Sequence, residues 1–241
     1  MRRMAAVIAV LGALSVAAIA AAAGPPGTTS NFFNAPDIVG TDNVDRLIGS
    51  VNSERIFALA GDDVVNSGPG SDWADGGRGR DELNGASGND LLTGETCNRE
   101  RCDAPEPDVI RGGSGSDQLE SNLCRKDTFP AECPDGPADD RLYGGDDNDV
   151  LILQAPPTAR GRTLADGGEG ADQITGSKGG DTLVGGEGRD TITARGGADT
   201  INVRDGERDV VDCGSGRDSV RADRIDRLRA CEVVTPRRKK R

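Results

Sequence analysis

The chain has 241 residues, with 41 acidic side chains against 29 basic ones, no histidine and a formal charge of −12. Such an acidic surface repels nucleic acid and anionic lipid and attracts cations. Without histidine the usual nucleophile triads and most zinc catalysis are excluded.

Residues 1–23 read as a secretory signal peptide. Met1-Arg2-Arg3-Met4 is basic, Ala5 to Ala20 is apolar, and Ala21-Ala22-Ala23 offers small residues for cleavage. The apolar run is slightly short for a membrane span and meets Gly24-Pro25-Pro26 at once. No membrane span is expected after signal removal, and the mature chain is expected to be secreted and extracellular. Residues 24–39 read as a linker.

From Gly40 the sequence repeats every nine residues. Six nonapeptides follow without a gap, with position six taken by Asp45, Glu54, Asp63, Asp72, Asp81 and Asp90. A degenerate nine, Gly94 to Cys102, keeps the phase, and Asp108 and Asp117 follow, so residues 40–120 form a first block. Residues 121–134 are an insertion. Residues 135–221 form a second block, with Asp140 and Asp149, a short Pro-containing insertion at 153–157, then Asp172, Asp181, Asp190 and Asp199. Asp209 and Asp218 follow with one residue of slippage. Residues 222–235 read as a C-terminal cap, with Asp226 an exposed carboxylate outside the frame, and residues 236–241 as a basic tail.

The complete copies are Gly76 to Asn84, Gly112 to Glu120, Gly167 to Thr175 and Gly185 to Thr193, each G-G-x-G-x-D-x-U-x with U aliphatic. A repeat of this kind is the mark of a solenoid. Glycines at positions one, two and four allow positive φ and close backbone approach in a tight turn. The last three residues make a short strand whose central side chain alone points inward. Nine residues give one turn and one strand, and two nonapeptides close a coil of eighteen. Turns that depart from the pattern are expected to be weaker: the one before Glu54 lacks two glycines, that of Asp149 has Asp147 for glycine, and Pro137 and Ala138 precede Asp140.

One aliphatic side chain per repeat contributes roughly 1.5–3 kcal/mol on burial, while ordering each of nine residues costs about 1–2 kcal/mol. Stacked carboxylates repel each other besides. A hard dication taking about 6–8 oxygen ligands removes that repulsion and joins adjacent coils.

The nonapeptide pattern resembles the RTX (repeat-in-toxin) calcium-binding family. The resemblance implies an all-β fold, a right-handed parallel β-roll with two nonapeptides per coil. It implies several Ca²⁺ ions between turns of successive coils, bound by turn carbonyls and by the carboxylates of Asp63, Asp72, Asp81, Asp90, Asp108, Asp117, Asp172, Asp181, Asp190, Asp199 and Asp218. Pairs eighteen apart would share ions: Asp63 with Asp81, Asp72 with Asp90, Asp172 with Asp190, Asp181 with Asp199. The chain departs from RTX toxins in its N-terminal signal and in lacking a catalytic or pore-forming domain, so toxin function does not follow.

Six cysteines in an exported chain read as disulfides, and sequence alone leaves about fifteen pairings. Spacing suggests local ones: Cys97 with Cys102, Cys124 with Cys133, and Cys213 with Cys231, the last pair fastening the final coil. The leading expectation is a calcium-binding β-roll with a structural or interaction role, no catalytic residues and a protein or polysaccharide partner that stays open. The alternatives are a polysaccharide-active enzyme on a parallel β-helix and an adhesion or matrix protein.

Overall fold

The computed structural model describes residues 37–96, 106–123, 139–154 and 162–236. Residues 1–36, where the signal peptide and most of the linker are expected, residues 237–241, and Cys97, Cys102, Cys124 and Cys133 lie outside the described residues. The described chain is all β. Its strands are short because each turn supplies glycines or other turn formers after only a few extended residues, as at Val64–Asn66 and Gln173–Thr175.

Successive strands alternate between two ten-stranded parallel sheets. The first sheet begins with Ile38–Val39 and ends with Arg227–Arg229; the second begins with Arg46–Ile48 and ends with Val233–Pro236. Within a sheet, Ile56 pairs with Ala74 and Val65 with Leu83, each eighteen residues on. The chain therefore winds as a β-roll, two nonapeptides to the coil, as its period predicts.

The register shows where the added residues go. Leu83 pairs with Ile110 and Leu92 with Leu119, a coil longer by nine residues. The degenerate nine, Gly94 to Cys102, thus places no strand between these paired ones: Leu91–Thr96 uses its first residues and the frame resumes at Val109–Ser114. Counted straight through, the frame would set Asp108 above Asp90; instead the Asp81 amide donates to Asp108 Oδ1 at 2.8 Å. Further on, Leu142 pairs with Ala165, in a strand, Leu164–Glu169, that the nonapeptide count passes over.

Each strand of the two sheets from Ile38–Val39 to Ser219–Ala222 points at least one side chain inward. One column runs Ile38, Ile56, Ala74, Leu92, Leu119, Leu151, Ile174, Ile192 and Val211, the other Leu47, Val65, Leu83, Ile110, Leu142, Ala165, Leu183, Ile201 and Val220, all buried. Burial near zero at every step makes the core one continuous file of aliphatic contacts. At the end of the roll Cys213 and Cys231 are bonded, with Cα atoms 5.2 Å apart, tying the last coil to the one before it.

Candidate metal centre

The residue before each strand is the sixth of its repeat, so the winding stacks these residues into two columns. Before the first sheet stand Glu54, Asp72, Asp90, Asp117, Asp149, Asp172, Asp190, Asp209 and Asp226. Before the second stand Asp45, Asp63, Asp81, Asp108, Asp140, Thr163, Asp181, Asp199, Asp218 and Glu232. From Asp45 to Asp218 the carboxylates in both columns are buried.

One oxygen of most of these carboxylates is held by an amide of the coil before it. The Asp63 amide donates to Asp81 Oδ1 at 2.9 Å, Asp72 to Asp90 at 2.8 Å, Asp172 to Asp190 at 3.0 Å and Asp181 to Asp199 at 2.8 Å. All four pairs expected from the eighteen-residue spacing are thus in contact. The ladder spans the insertions too, Asp90 to Asp117 and Asp117 to Asp149 at 2.8 Å each. It ends on Asp226 and Glu232, which accept from Asp209 and Asp218. Asp226 is therefore the last member of a column rather than an exposed bystander.

The second oxygen divides the turns into two kinds. In eleven turns, those of Asp63, Asp72, Asp81, Asp90, Asp117, Asp149, Asp172, Asp190, Asp199, Asp209 and Asp218, Oδ2 is buried without a hydrogen-bond partner among the described residues. In all of these but the Asp209 turn, positions two and four both have positive φ. Residues other than glycine comply: Leu59, Ala86 and Arg195 at position two, and Asp147 at position four with φ 75°. The Asp147 turn is thus like the intact ones, because Asp tolerates the left-handed region better than most side chains.

Glycine at position one serves space rather than φ. A Cβ placed on Gly167 would lie 2.1 Å from Asp172 Oδ2 and 2.3 Å from the Gly185 carbonyl oxygen of the next coil. A carboxylate oxygen and a carbonyl oxygen face the same small space, and the pattern recurs at Gly76 with Asp81 and Gly94.

The second kind of turn occurs at Thr41, Ser50 and Ser177, which hold position two without positive φ. The Ser177 amide and hydroxyl donate to Asp181 Oδ2 at 2.7 and 3.0 Å, and the hydroxyl accepts the Gly179 amide at 3.0 Å. Thr41 closes on Asp45 Oδ2 at 2.5 and 2.8 Å, and Ser50 closes on both oxygens of Glu54.

Burial pushes the carboxyls up from their usual range, opposed by the amide each accepts. Asp63, Asp90 and Asp172 rise to about 6, and Asp72, Asp81 and Asp117 to about 7. Asp108 rises to about 9, where desolvation is joined by the Asp140 carboxylate. Unlike charges are scarce along the columns, so at neutral pH the stack is short of positive charge. Hard oxygen donors alone, anionic and carbonyl, suit Ca²⁺ rather than softer metals. No three acidic or sulfur side chains converge among the described residues, so further ligands there have to come from the backbone. The buried unpartnered oxygens and the cradle at position one fit that ion.

Of the residues expected as ligands, nine carry the unpartnered Oδ2: Asp63, Asp72, Asp81, Asp90, Asp117, Asp172, Asp190, Asp199 and Asp218. Asp108 lies in its column, and Asp181 is set apart by its serine. Asp149 and Asp209, which were not among the expected ligands, have the same unpartnered oxygen. Phase pointed to both, but a substituted glycine and a one-residue slip made their turns look poor.

Two columns of buried carboxylates at the turns of a parallel β-solenoid define a repeat protein of the β-roll class. The RTX calcium-binding nonapeptide repeat model matches residues 39–74, 66–96, 106–123, 135–154 and 166–201, more than half of the chain. The chain belongs to the RTX calcium-binding nonapeptide repeat family. A search of curated proteins finds no match.

Proposed function

We propose that this is a secreted protein whose β-roll closes around several Ca²⁺ ions, with a structural or interaction role and no catalysis. Asp Oδ2 atoms and turn carbonyls would hold the ions, and bound calcium supplies the positive charge that lets the columns stay ionised. The observation that carries this reading is the set of buried carboxylate oxygens without hydrogen-bond partners, repeated on both sides of the roll. Burying such oxygens uncompensated is costly. The Cys213–Cys231 bond suits an oxidising compartment, which supports export.

Calorimetric titration of the mature protein tests it. Several ions should bind with affinity near the extracellular-module range of about 10⁻⁴–10⁻³ M, and Mg²⁺, which demands a smaller octahedral shell, should substitute poorly. A protein that takes up no Ca²⁺ at millimolar concentration would overturn the reading.

A further inference from the structure

The three hydroxyl-closed turns differ in two respects from the ten turns that combine an unpartnered Oδ2 with positive φ at positions two and four. Their second carboxylate oxygen has its hydrogen bonds already, and their backbone lacks both positive-φ residues, so their carbonyls follow another path. At Ser177 the arrangement is wholly buried, with Ser177 at 1% and Asp181 at 3% exposure. The Arg195 guanidinium, one coil on, also favours the charged form of Asp181. One coil earlier on the same side, position six is Thr163, which offers no carboxylate.

We propose that the turns closed by Thr41, Ser50 and Ser177 take no calcium. The hydroxyl does the work of the ion: it donates to the carboxylate and accepts the amide of position four. Two consequences follow for the array. The first coil has both turns locked by side chains, Thr41 on one side and Ser50 on the other. In mid-roll the second column is interrupted over two successive coils, at Thr163 and Asp181, while the first column continues through Asp149, Asp172 and Asp190.

This inference rests on the calcium reading above, and the test separates the two. The number of Ca²⁺ ions bound to the mature protein is counted for wild type, Ser177→Gly, Asp181→Asn and Asp190→Asn, by equilibrium dialysis with metal analysis and by native mass spectrometry. Ser177→Gly completes the glycine pattern at positions one, two and four, and it should bind one ion more than wild type. Asp181→Asn should bind the same number as wild type, and Asp190→Asn one fewer. An unchanged count in Ser177→Gly, or one ion lost in Asp181→Asn, overturns the inference. If Ser177→Gly does not fold, the Asp181→Asn count decides alone. An unchanged count in Asp190→Asn, or a wild type without bound calcium, strikes the calcium reading itself and takes the inference with it.

Discussion

The turns before Asp172 and Asp181 lie nine residues apart and begin alike, Gly167-Gly168-Glu169-Gly170 against Gly176-Ser177-Lys178-Gly179. In the first, Gly168 and Gly170 both take positive φ and Asp172 Oδ2 is left without a hydrogen bond. In the second, one hydroxyl removes both features. A single position thus sets whether a turn is complete by itself or needs something from solution. Most turns of the roll are of the first kind, which under the proposed function makes the fold conditional on its ion, while the core beneath them is aliphatic throughout.

The needy turns dominate the response to pH, where the largest effect is expected. In the metal-free protein the folded carboxyls lie raised, Asp172 to about 6 and Asp117, Asp149 and Asp199 to about 7. The folded state therefore holds more protons than the unfolded one over that range, and stability falls as pH rises from about 4 through 7. Metal-free protein should show more β signal at pH 5 than at pH 8. Calcium affinity should move the other way, falling on acidification because protons and calcium compete for the same oxygens. A flat or inverted metal-free profile would break the link between the columns and folding.

Core truncation should ignore the difference between turns. Leu183→Ala, next to the serine-closed turn, and Ile192→Ala, next to a glycine turn, should each cost about 2–5 kcal/mol in saturating calcium. Denaturant midpoints measure both, and a loss confined to one of them would show that the turn kind governs packing too. Cys231→Ser should cost about 3 kcal/mol, the order expected for a loop of this length. Thermal melts in calcium would expose it, and an unchanged melt would mean that the terminal coil is held without its bond.

The smallest effect sharpens the comparison most. Ser177→Ala removes the hydroxyl but keeps the backbone away from positive φ, so it should lose about 1–2 kcal/mol without adding a calcium site. Gly168→Ala should be worse, since its Cβ would stand 2.1 Å from the Gly145 carbonyl oxygen in a residue with φ of 105°. Equal losses from the two would contradict the division into two turn kinds.

Much of this was legible because the repeat keeps its period. The aliphatic file, the paired carboxylates and the Cys213–Cys231 bond all follow from spacing. The strand at Leu164–Glu169 was not, since Thr163 and Ala165 replace both markers with residues that fit by size rather than by type. It stands nine residues before Asp172, so extending the phase backwards would have found it. The side to which Asp108 belongs was also hidden, because nothing in Gly94 to Cys102 says that this nine is left out of the winding. The serine-closed turns were readable only in part: Thr41, Ser50 and Ser177 are visible as departures from glycine, but their hydroxyls find the carboxylate only once the chain is folded.

The central claim is that the columns need calcium to stay folded at neutral pH. Far-UV circular dichroism of the mature protein at pH 7.5, in chelator and then in millimolar Ca²⁺, tests it most directly. The account predicts a spectrum largely without β signal in chelator and its cooperative appearance on adding calcium. Superimposable β spectra in the two conditions would contradict it.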